Sequence, residues 1–193
     1  VSITDCTDKP GSLTGGSQNY GAAINVSAGG ALNLYAGNIT KNKNTKDGGA
    51  IYLCAATKEL KGAVFQMYGG SITENESTYG GAIRMAGSAE GLESGTFRMY
   101  GGVISGNKAG DMGGAIHAPG GAVVNLQGGT ITGNTAAVGG GIFTNTSGAE
   151  VSVSGNPTVM DNTASGKQNV IGVSVICFLG NVVGTVLGIS ERH

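Results

Sequence analysis

The sequence has no tryptophan, only 3 prolines and only 3 cysteines among its 193 residues. Cys6, Cys54 and Cys177 are odd in number and far apart, a pattern that forms neither a disulfide framework nor a cysteine metal site. We expect them to be thiols with a packing role. Charge is also scarce and balanced, because 11 basic and 12 acidic residues leave a net charge of -1. This balance argues against nucleic acid or an anionic membrane as a partner.

Helical periodicity is missing as well, whereas glycine is abundant, at 38 residues. Short segments of alternating apolar and polar residues are separated by Gly, Asn, Ser and Thr, which is typical of brief strands joined by turns. With so little proline, the glycines indicate turns and close backbone approach rather than disorder. The sequence therefore predicts an all-β protein.

The strand-like segments recur as a repeat of three phrases: an apolar-x-apolar pair, an ITxN phrase and a GGAI phrase. The aliphatic residue of the ITxN phrase recurs at intervals of 33, 32, 27 and 28 residues, at Ile39, Ile72, Ile104, Ile131 and Val159. The GGAI isoleucine recurs at Ile51, Ile83, Ile116 and Ile142, with a degenerate copy at Ile24 and Val170 or Ile171 at the end. Self-similarity at a fixed period marks a solenoid, whose units are stable only when stacked.

Three short strands per unit leave no room for a helical crossover, so each strand should pair with its counterpart one coil away. The prediction is a right-handed parallel β-helix of about six coils, the hand following from the preference of parallel crossovers. We expect a single domain, with a partial first coil at residues 1–20, regular coils at 21–168 and an apolar last coil or cap at 169–193. Residues 1–6 are interpreted as the ITxN strand of the partial coil.

The segment from residue 169 to residue 189 has no charged side chain and resembles a membrane span in hydropathy. Glycine and asparagine interrupt it repeatedly, and β-branched residues dominate it, as expected of short buried strands. We therefore expect a cap that covers the open end of the solenoid rather than insertion into a lipid membrane. An anchor segment is the alternative.

An asparagine ends each ITxN phrase, at Asn42, Asn75, Asn107, Asn134 and Asn162. Asparagines at the same corner of successive coils can stack their amides into a hydrogen-bonded ladder and satisfy backbone groups of the turn. We expect a structural role for these five residues.

Two outward-facing columns follow from the alternation in the apolar-x-apolar strand. The tyrosine column consists of Tyr35, Tyr68 and Tyr100 and is followed by Gln127. The polar column beside it consists of Asn33, Gln66, Arg98 and Asn125. Exposed rings next to amides and a guanidinium suit carbohydrate binding. Aromatic stacking that only stabilises the sheet is the alternative.

A third outward column, the mixed column, follows the GGAI phrases and consists of Asn25, Tyr52, Arg84, His117 and Phe143. It is the most chemically varied column, and we include Tyr52, Arg84 and His117 among the candidate binding residues. Two insertions, around residues 55–63 and 86–95, break the period on adjacent coils and should protrude side by side. Insertions in repeat proteins often lie at a binding edge, although neutral decoration is equally compatible.

The pattern of acidic residues does not favour catalysis. Glycoside hydrolysis needs two carboxylates beside the scissile bond, and lyase chemistry needs a Lys or Arg base, usually with carboxylates that gather a cation. Here the acidic residues are scattered along the coils, and His117 is the only histidine before the C-terminal residue. The sequence contains no phosphate-binding loop, dinucleotide fingerprint or calcium repeat. We expect no cofactor, no bound metal and no catalytic residue.

The paired GGAI and ITxN phrases resemble the repeats of bacterial surface β-helix proteins. These are the adhesin-like proteins of gut Firmicutes and methanogens and, more distantly, the polymorphic membrane proteins of chlamydiae. The resemblance covers about residues 21–171, and this chain has Ile-Thr or Ile-Ser where the chlamydial pattern has Phe. The resemblance implies an exported, cell-surface or secreted adhesin or stalk, with no catalytic residues to carry over.

The sequence therefore favours a non-catalytic bacterial surface or secreted protein, an adhesin or structural stalk whose partner is a glycan or a surface protein. A polysaccharide lyase or hydrolase of the pectin-lyase-like β-helix type is the alternative. The sequence leaves the ligand, the anchoring mode and the oligomeric state open.

Overall fold

The alternating phrases form short parallel strands that wind into a β-solenoid. The computed structural model describes residues 2–3, 12–14, 20–144, 149–166, 176–177 and 182–183. Within these ranges every regular element is a strand. In chain order the strands are β1 (Ser2–Ile3), β2 (Ser12–Thr14), β3 (Ile24–Val26), β4 (Ala31–Leu34), β5 (Asn38–Thr40), β6 (Ile51–Leu53), β7 (Val64–Met67), β8 (Ser71–Thr73), β9 (Glu76–Tyr79), β10 (Ile83–Met85), β11 (Thr96–Met99), β12 (Val103–Ser105), β13 (Lys108–Met112), β14 (Ile116–Ala118), β15 (Val123–Leu126), β16 (Thr130–Thr132), β17 (Thr135–Ala136), β18 (Ile142–Thr144), β19 (Glu150–Val153), β20 (Thr158–Met160), β21 (Thr163–Ala164), β22 (Ile176–Cys177) and β23 (Val182–Val183).

Each phrase builds one sheet, because strands with the same phrase pair with their counterparts in the next coil. The apolar-x-apolar sheet has the order β1-β4-β7-β11-β15-β19-β23, the ITxN sheet β2-β5-β8-β12-β16-β20 and the GGAI sheet β3-β6-β10-β14-β18-β22. The strands stack in about five turns, which confirms the predicted all-β parallel solenoid and is close to the predicted number of coils. In the described part of the chain, no helix has the length and apolarity to cross a membrane.

A fourth, shorter sheet was not predicted. It follows the ladder asparagines and has the order β9-β13-β17-β21. Its residues lack the apolar alternation that marks the other strands, since β13 contains Lys108, Gly110 and Asp111. These strands pair because the turn at the ladder asparagine sets their register with the neighbouring coil. The residue pattern of a single repeat does not predict this pairing.

Two predicted assignments at the ends of the solenoid are wrong. β1 pairs with β4 in the apolar-x-apolar sheet, and the ITxN sheet of the partial coil is instead completed by β2, with Leu13 beside Ile39. A two-residue alternation fits any of the three sheets, so only the pairing decides among them. At the other end, Ile176 rather than Val170 or Ile171 is the partner of Ile142. The remainder of the predicted cap at 169–193, apart from β22 and β23, lies outside the described residues.

The core consists of columns of apolar side chains inside the solenoid, in which equivalent residues of successive coils stack on one another. Ile39, Ile72, Ile104 and Ile131 are fully buried in successive coils of the ITxN sheet, and their strand neighbours are in register. The rings of Phe65 and Phe97 stack with their centroids 5.1 Å apart. Apolar side chains of equal depth in every coil leave little space unfilled, so a thin solenoid without tryptophan still has a continuous core.

The two glycines of the GGAI phrase have different roles. Gly80 has a φ of +66°, and a Cβ there would overlap the carbonyl oxygen of Ile83. Gly81 has ordinary dihedrals, but its Cβ would overlap the carbonyl oxygen of Gly114 in the next coil. The first glycine therefore permits the turn and the second permits the close approach of neighbouring coils.

Candidate functional site

The tyrosine column is a continuous stack on the outer surface. The rings of Tyr35 and Tyr68 lie 4.8 Å apart with an angle of 7° between their planes, and those of Tyr68 and Tyr100 lie 4.8 Å apart at 8°. The exposed fractions of the three residues are 47%, 40% and 37%. Both faces of the Tyr68 ring are therefore covered by its neighbours, and the stack offers ring edges and hydroxyl groups to solvent. The sequence predicts open ring faces for sugar binding, but stacking covers both faces of the middle ring, Tyr68.

Polar side chains on both sides of the tyrosine column are linked from coil to coil. In the polar column, Nε2 of Gln66 donates a hydrogen bond to Oδ1 of Asn33 at 3.0 Å. On the other side, Oγ of Ser71 donates to Oδ1 of Asn38 at 2.6 Å. The hydroxyl of Tyr68 lies 3.4 Å from Oε1 of Gln66, so the column and its flank are in contact. The result is a ribbon of hydroxyl and amide groups on each side of Tyr35 and Tyr68, and Arg98 and Val103 take the equivalent positions in the next coil.

Arg98 differs from its neighbours in the polar column because it carries a charge. It lies in register between Gln66 and Asn125 and is half-buried. Among the described residues it makes no ion pair. The guanidinium is therefore a cation beside the tyrosine column that has no acidic partner in the part of the chain that the structure describes.

The mixed column forms a second cluster with a neighbouring column that was not predicted from the sequence. Tyr20, Asp47 and Tyr79 lie in register with one another, each four residues before a GGAI isoleucine. The glycine turn brings this column beside Tyr52 and Arg84. The constant spacing of four residues could have identified this column from the sequence. It was missed because one member is acidic and the other two are aromatic, so the three residues do not look like copies of one repeat position.

Arg84 is the centre of this second cluster. Its Nε lies 3.0 Å from Oδ1 of Asp47, and the two side chains are only 16% and 20% exposed. The guanidinium lies over the ring of Tyr79, 5.9 Å from its centroid, and also donates to the carbonyl of Met85. Tyr52 packs on Tyr20 with ring centroids 5.0 Å apart. Because Asp47, Tyr79 and the carbonyl of Met85 already contact the Arg84 guanidinium, we interpret its role as stabilising the fold.

Burial also affects the phenol of Tyr52. Desolvation raises the pKa of Tyr52, and the nearby Asp47 carboxylate adds to this shift while Arg84 opposes it. The phenol therefore stays protonated near neutral pH and remains a hydrogen-bond donor.

His117 does not face solvent as its outward position predicted. It is 5% exposed, and the rings of Tyr79 and Phe143 lie 5.7 Å and 5.2 Å from its own. Burial lowers the pKa of His117 to about 3, with a further contribution from Arg84, and neither ring nitrogen has a hydrogen-bond partner among the described residues. The reason for the difference is that aromatic side chains on both sides cover the imidazole, so it is neutral and inaccessible to a large ligand.

The five ladder asparagines are buried and bonded to one another. Nδ2 of Asn75 donates to Oδ1 of Asn107 at 2.9 Å, and the backbone N–H of Asn75 donates to the same oxygen at 3.0 Å. Equivalent pairs join Asn42 to Asn75, Asn107 to Asn134 and Asn134 to Asn162. Because the side-chain amides are buried and hydrogen-bonded within the ladder, they are not accessible to a ligand.

The two insertions lie against each other as expected. The backbone N–H of Ala56 donates to the carbonyl of Glu93 at 2.9 Å, which joins the first insertion to the second. The second insertion is also tied to the following coil, because the N–H of Ser94 donates to the carbonyl of Gly121 at 3.0 Å. Backbone hydrogen bonds therefore hold the two loops to each other and to the following coil.

Several acidic side chains are paired with a basic residue of the neighbouring coil. Glu74 lies 3.7 Å from Lys41, and Glu76 lies 3.1 Å from Lys43. Within the described ranges, no three His, Cys, Asp or Glu side chains lie close enough to hold a metal ion. Comparison of the chain with protein-family models, with curated proteins and with solved structures found no match.

Proposed function

We propose that this β-solenoid is a non-catalytic bacterial surface or secreted protein, an adhesin or structural stalk that binds carbohydrate through the tyrosine column. The observation that supports the proposal best is the exposed stack of Tyr35, Tyr68 and Tyr100 between two ribbons of hydroxyl and amide groups. Carbohydrates are recognised by aromatic surfaces together with amide and hydroxyl partners for their hydroxyl groups.

The other candidate surface supports this choice less well. In the mixed column the Arg84 guanidinium is engaged by Asp47 and by Tyr79, and His117 is buried. A ligand on the tyrosine column would not have to open the largely buried Arg84–Asp47 ion pair, because the phenol edges of that column already face solvent. We therefore assign binding to Tyr35, Tyr68, Tyr100 and Arg98 and give Tyr52, Arg84 and His117 a structural role.

A glycan array tests the proposal. Wild-type protein should give carbohydrate hits that are lost or at least tenfold weaker in Tyr68→Ala and in Tyr100→Gln. Glutamine follows the tyrosines in the next coil, at Gln127, so the second variant is expected to fold. Tyr20→Ala is the matched control, because Tyr20 is 50% exposed but belongs to the other cluster. An array without hits, or equal losses in Tyr20→Ala and Tyr100→Gln, would contradict the assignment.

A further inference from the structure

The tyrosine column repeats by translation along the solenoid. Equivalent rings are 4.8 Å apart and nearly parallel, so three successive coils present a phenol hydroxyl at nearly the same angle. Asn33 and Gln66, like Asn38 and Ser71, repeat the flanking polar groups in the coils of Tyr35 and Tyr68, and Arg98 and Val103 take these positions in the coil of Tyr100. A ligand that makes equal contacts with every coil must itself repeat along the axis with about this period.

The stacked rings also restrict how a sugar can bind. A sugar cannot lie flat on the Tyr68 ring, because Tyr35 and Tyr100 cover both faces. It can lie across the ring edges and exchange hydrogen bonds with the phenol hydroxyls and flanking amides. Neighbouring coils are one strand spacing apart, about 4.8 Å. An extended polysaccharide advances by a comparable distance per sugar, so successive sugars can meet successive coils.

The charge on the ribbon indicates the chemistry of the polymer. Arg98 is the cation of the polar column, and among the described residues it has neither an ion pair nor a side-chain hydrogen bond. A guanidinium pairs well with a carboxylate, through two parallel hydrogen bonds. Neutral sugars would offer this guanidinium only hydroxyl groups, whose hydrogen bonds are weaker than those of a carboxylate.

We infer that the tyrosine and polar columns bind a linear, carboxylate-bearing polysaccharide that lies parallel to the solenoid axis, with a carboxylate on Arg98. This inference rests on the proposed carbohydrate-binding function and adds the direction, the repeat and the charge of the ligand. Each sugar of the polymer faces one coil, and the tyrosine hydroxyls and the flanking amides bind its hydroxyl groups.

Calorimetric titration with oligogalacturonates of increasing length tests the inference, with cello-oligosaccharides as the neutral series. Affinity for the acidic series should rise with length until the oligomer spans the three tyrosines, and then level off. Arg98→Gln should lower that affinity about fivefold, the upper range of an exposed ion pair. Gln66 holds the equivalent position one coil earlier, so the variant is expected to fold.

Lys108→Gln is the matched control, because it removes one positive charge from an exposed position on another sheet. It should leave the affinity unchanged. Equal effects of the two variants, or an affinity independent of length, would overturn the inference. Length-independent binding of neutral sugars that is still lost in Tyr100→Gln would overturn the inference and leave the proposed function standing. Absence of binding to either series and to the array would reject the proposed function itself.

Discussion

At the scale of single residues, the asparagine of the ITxN phrase makes buried hydrogen bonds that an apolar side chain of equal size could not make. Asn107 accepts two hydrogen bonds from Asn75 through Oδ1, while its own Nδ2 donates to the carbonyl of Ile72 and to Asn134. It is 0% exposed. A shorter side chain would leave several buried donors and acceptors unpaired, and each such group costs about 1–3 kcal/mol.

We therefore predict that Asn107→Ala lowers the free energy of unfolding by about 3 kcal/mol or more. Chemical denaturation of the wild type and the variant measures this difference. Asn25→Ala is the control, because Asn25 is exposed and its loss should change stability by about 0.5 kcal/mol or less. Carbohydrate binding by folded Asn107→Ala should be unchanged, and loss of binding at full stability would contradict the structural role.

His117 makes the stability depend on pH. Its folded pKa of about 3 lies below its usual value of 6.5 because of burial and of Arg84. The unfolded chain therefore takes up a proton as the pH falls below 6.5, whereas the folded chain does not until about pH 3. The contribution of the neutral imidazole is fully present above pH 6.5 and is lost between pH 6.5 and 3, at about 1.4 kcal/mol per pH unit.

His117→Phe should remove this dependence, and the presence of Phe143 at the same position in the next coil indicates that the ring fits. Between pH 7.5 and pH 4.5 the variant should lose about 2–3 kcal/mol less unfolding free energy than the wild type. Urea denaturation at the two pH values measures the difference. Arg84 and Asp47 are unchanged in both proteins, so identical losses would mean that His117 does not stay neutral in the fold.

At the scale of the element, the turns are set by backbone conformations that recur at fixed positions. The residue before each ladder asparagine has a positive φ, whether it is glycine, as at Gly106, or Glu74 with a φ of 56°. The first glycine of GGAI has a similar φ, but backbone atoms surround it. The two turns therefore tolerate side chains very differently.

Gly106→Ala and Gly80→Ala form a matched pair that tests this difference. At Gly106 a Cβ would make only ordinary van der Waals contact with Glu74, so the substitution should cost only the left-handed conformation, about 1–2 kcal/mol. At Gly80 the Cβ would overlap the carbonyl of Ile83, so we expect a protein that does not reach the native fold. Thermal melts followed by circular dichroism compare them, and similar melting temperatures would refute the assigned roles.

The strands of the three long sheets were predictable because each carries its own apolar alternation, as in the pairs Phe65/Met67 and Phe97/Met99. The fourth sheet and the alignment of β1 were not, because their residues pair by position rather than by pattern. The tyrosine column was predicted residue by residue, whereas the cluster of Tyr20, Asp47 and Tyr79 was not. Those three residues occupy equivalent positions in successive coils, but they are not all of one residue type.

At the scale of the whole molecule, the solenoid is nearly one-dimensional. Each coil contacts the coil below and the coil above, so stability is close to a sum of coil and interface contributions. Ile104 stacks between Ile72 and Ile131 at the middle of the ITxN sheet. A cavity there should weaken the neighbouring coils first.

We predict that Ile104→Ala lowers the unfolding free energy by about 2–5 kcal/mol. Hydrogen exchange should accelerate most in β8, β12 and β16, and less in β5, two coils away from the substitution. Leu126→Ala, in the apolar-x-apolar sheet of the next coil, is the matched comparison. It should shift the region of fastest hydrogen exchange by one coil. Uniform acceleration across all described strands would show that the rod unfolds as a single unit.

The sequence by itself determined the repeat, the three main sheets and the inward and outward directions of their side chains. This was possible because a period of two along each strand and a period of about 27–33 residues along the chain leave one parallel arrangement that buries the apolar residues. Only the tertiary structure decided which outward residues are accessible. Tyr68 and His117 both occupy outward positions, but exposure depends on the neighbours across the glycine turn and in the adjacent coils. Tyr79 and Phe143 bury His117 between two aromatic rings, whereas the neighbours of Tyr68 cover its faces and leave its edge exposed.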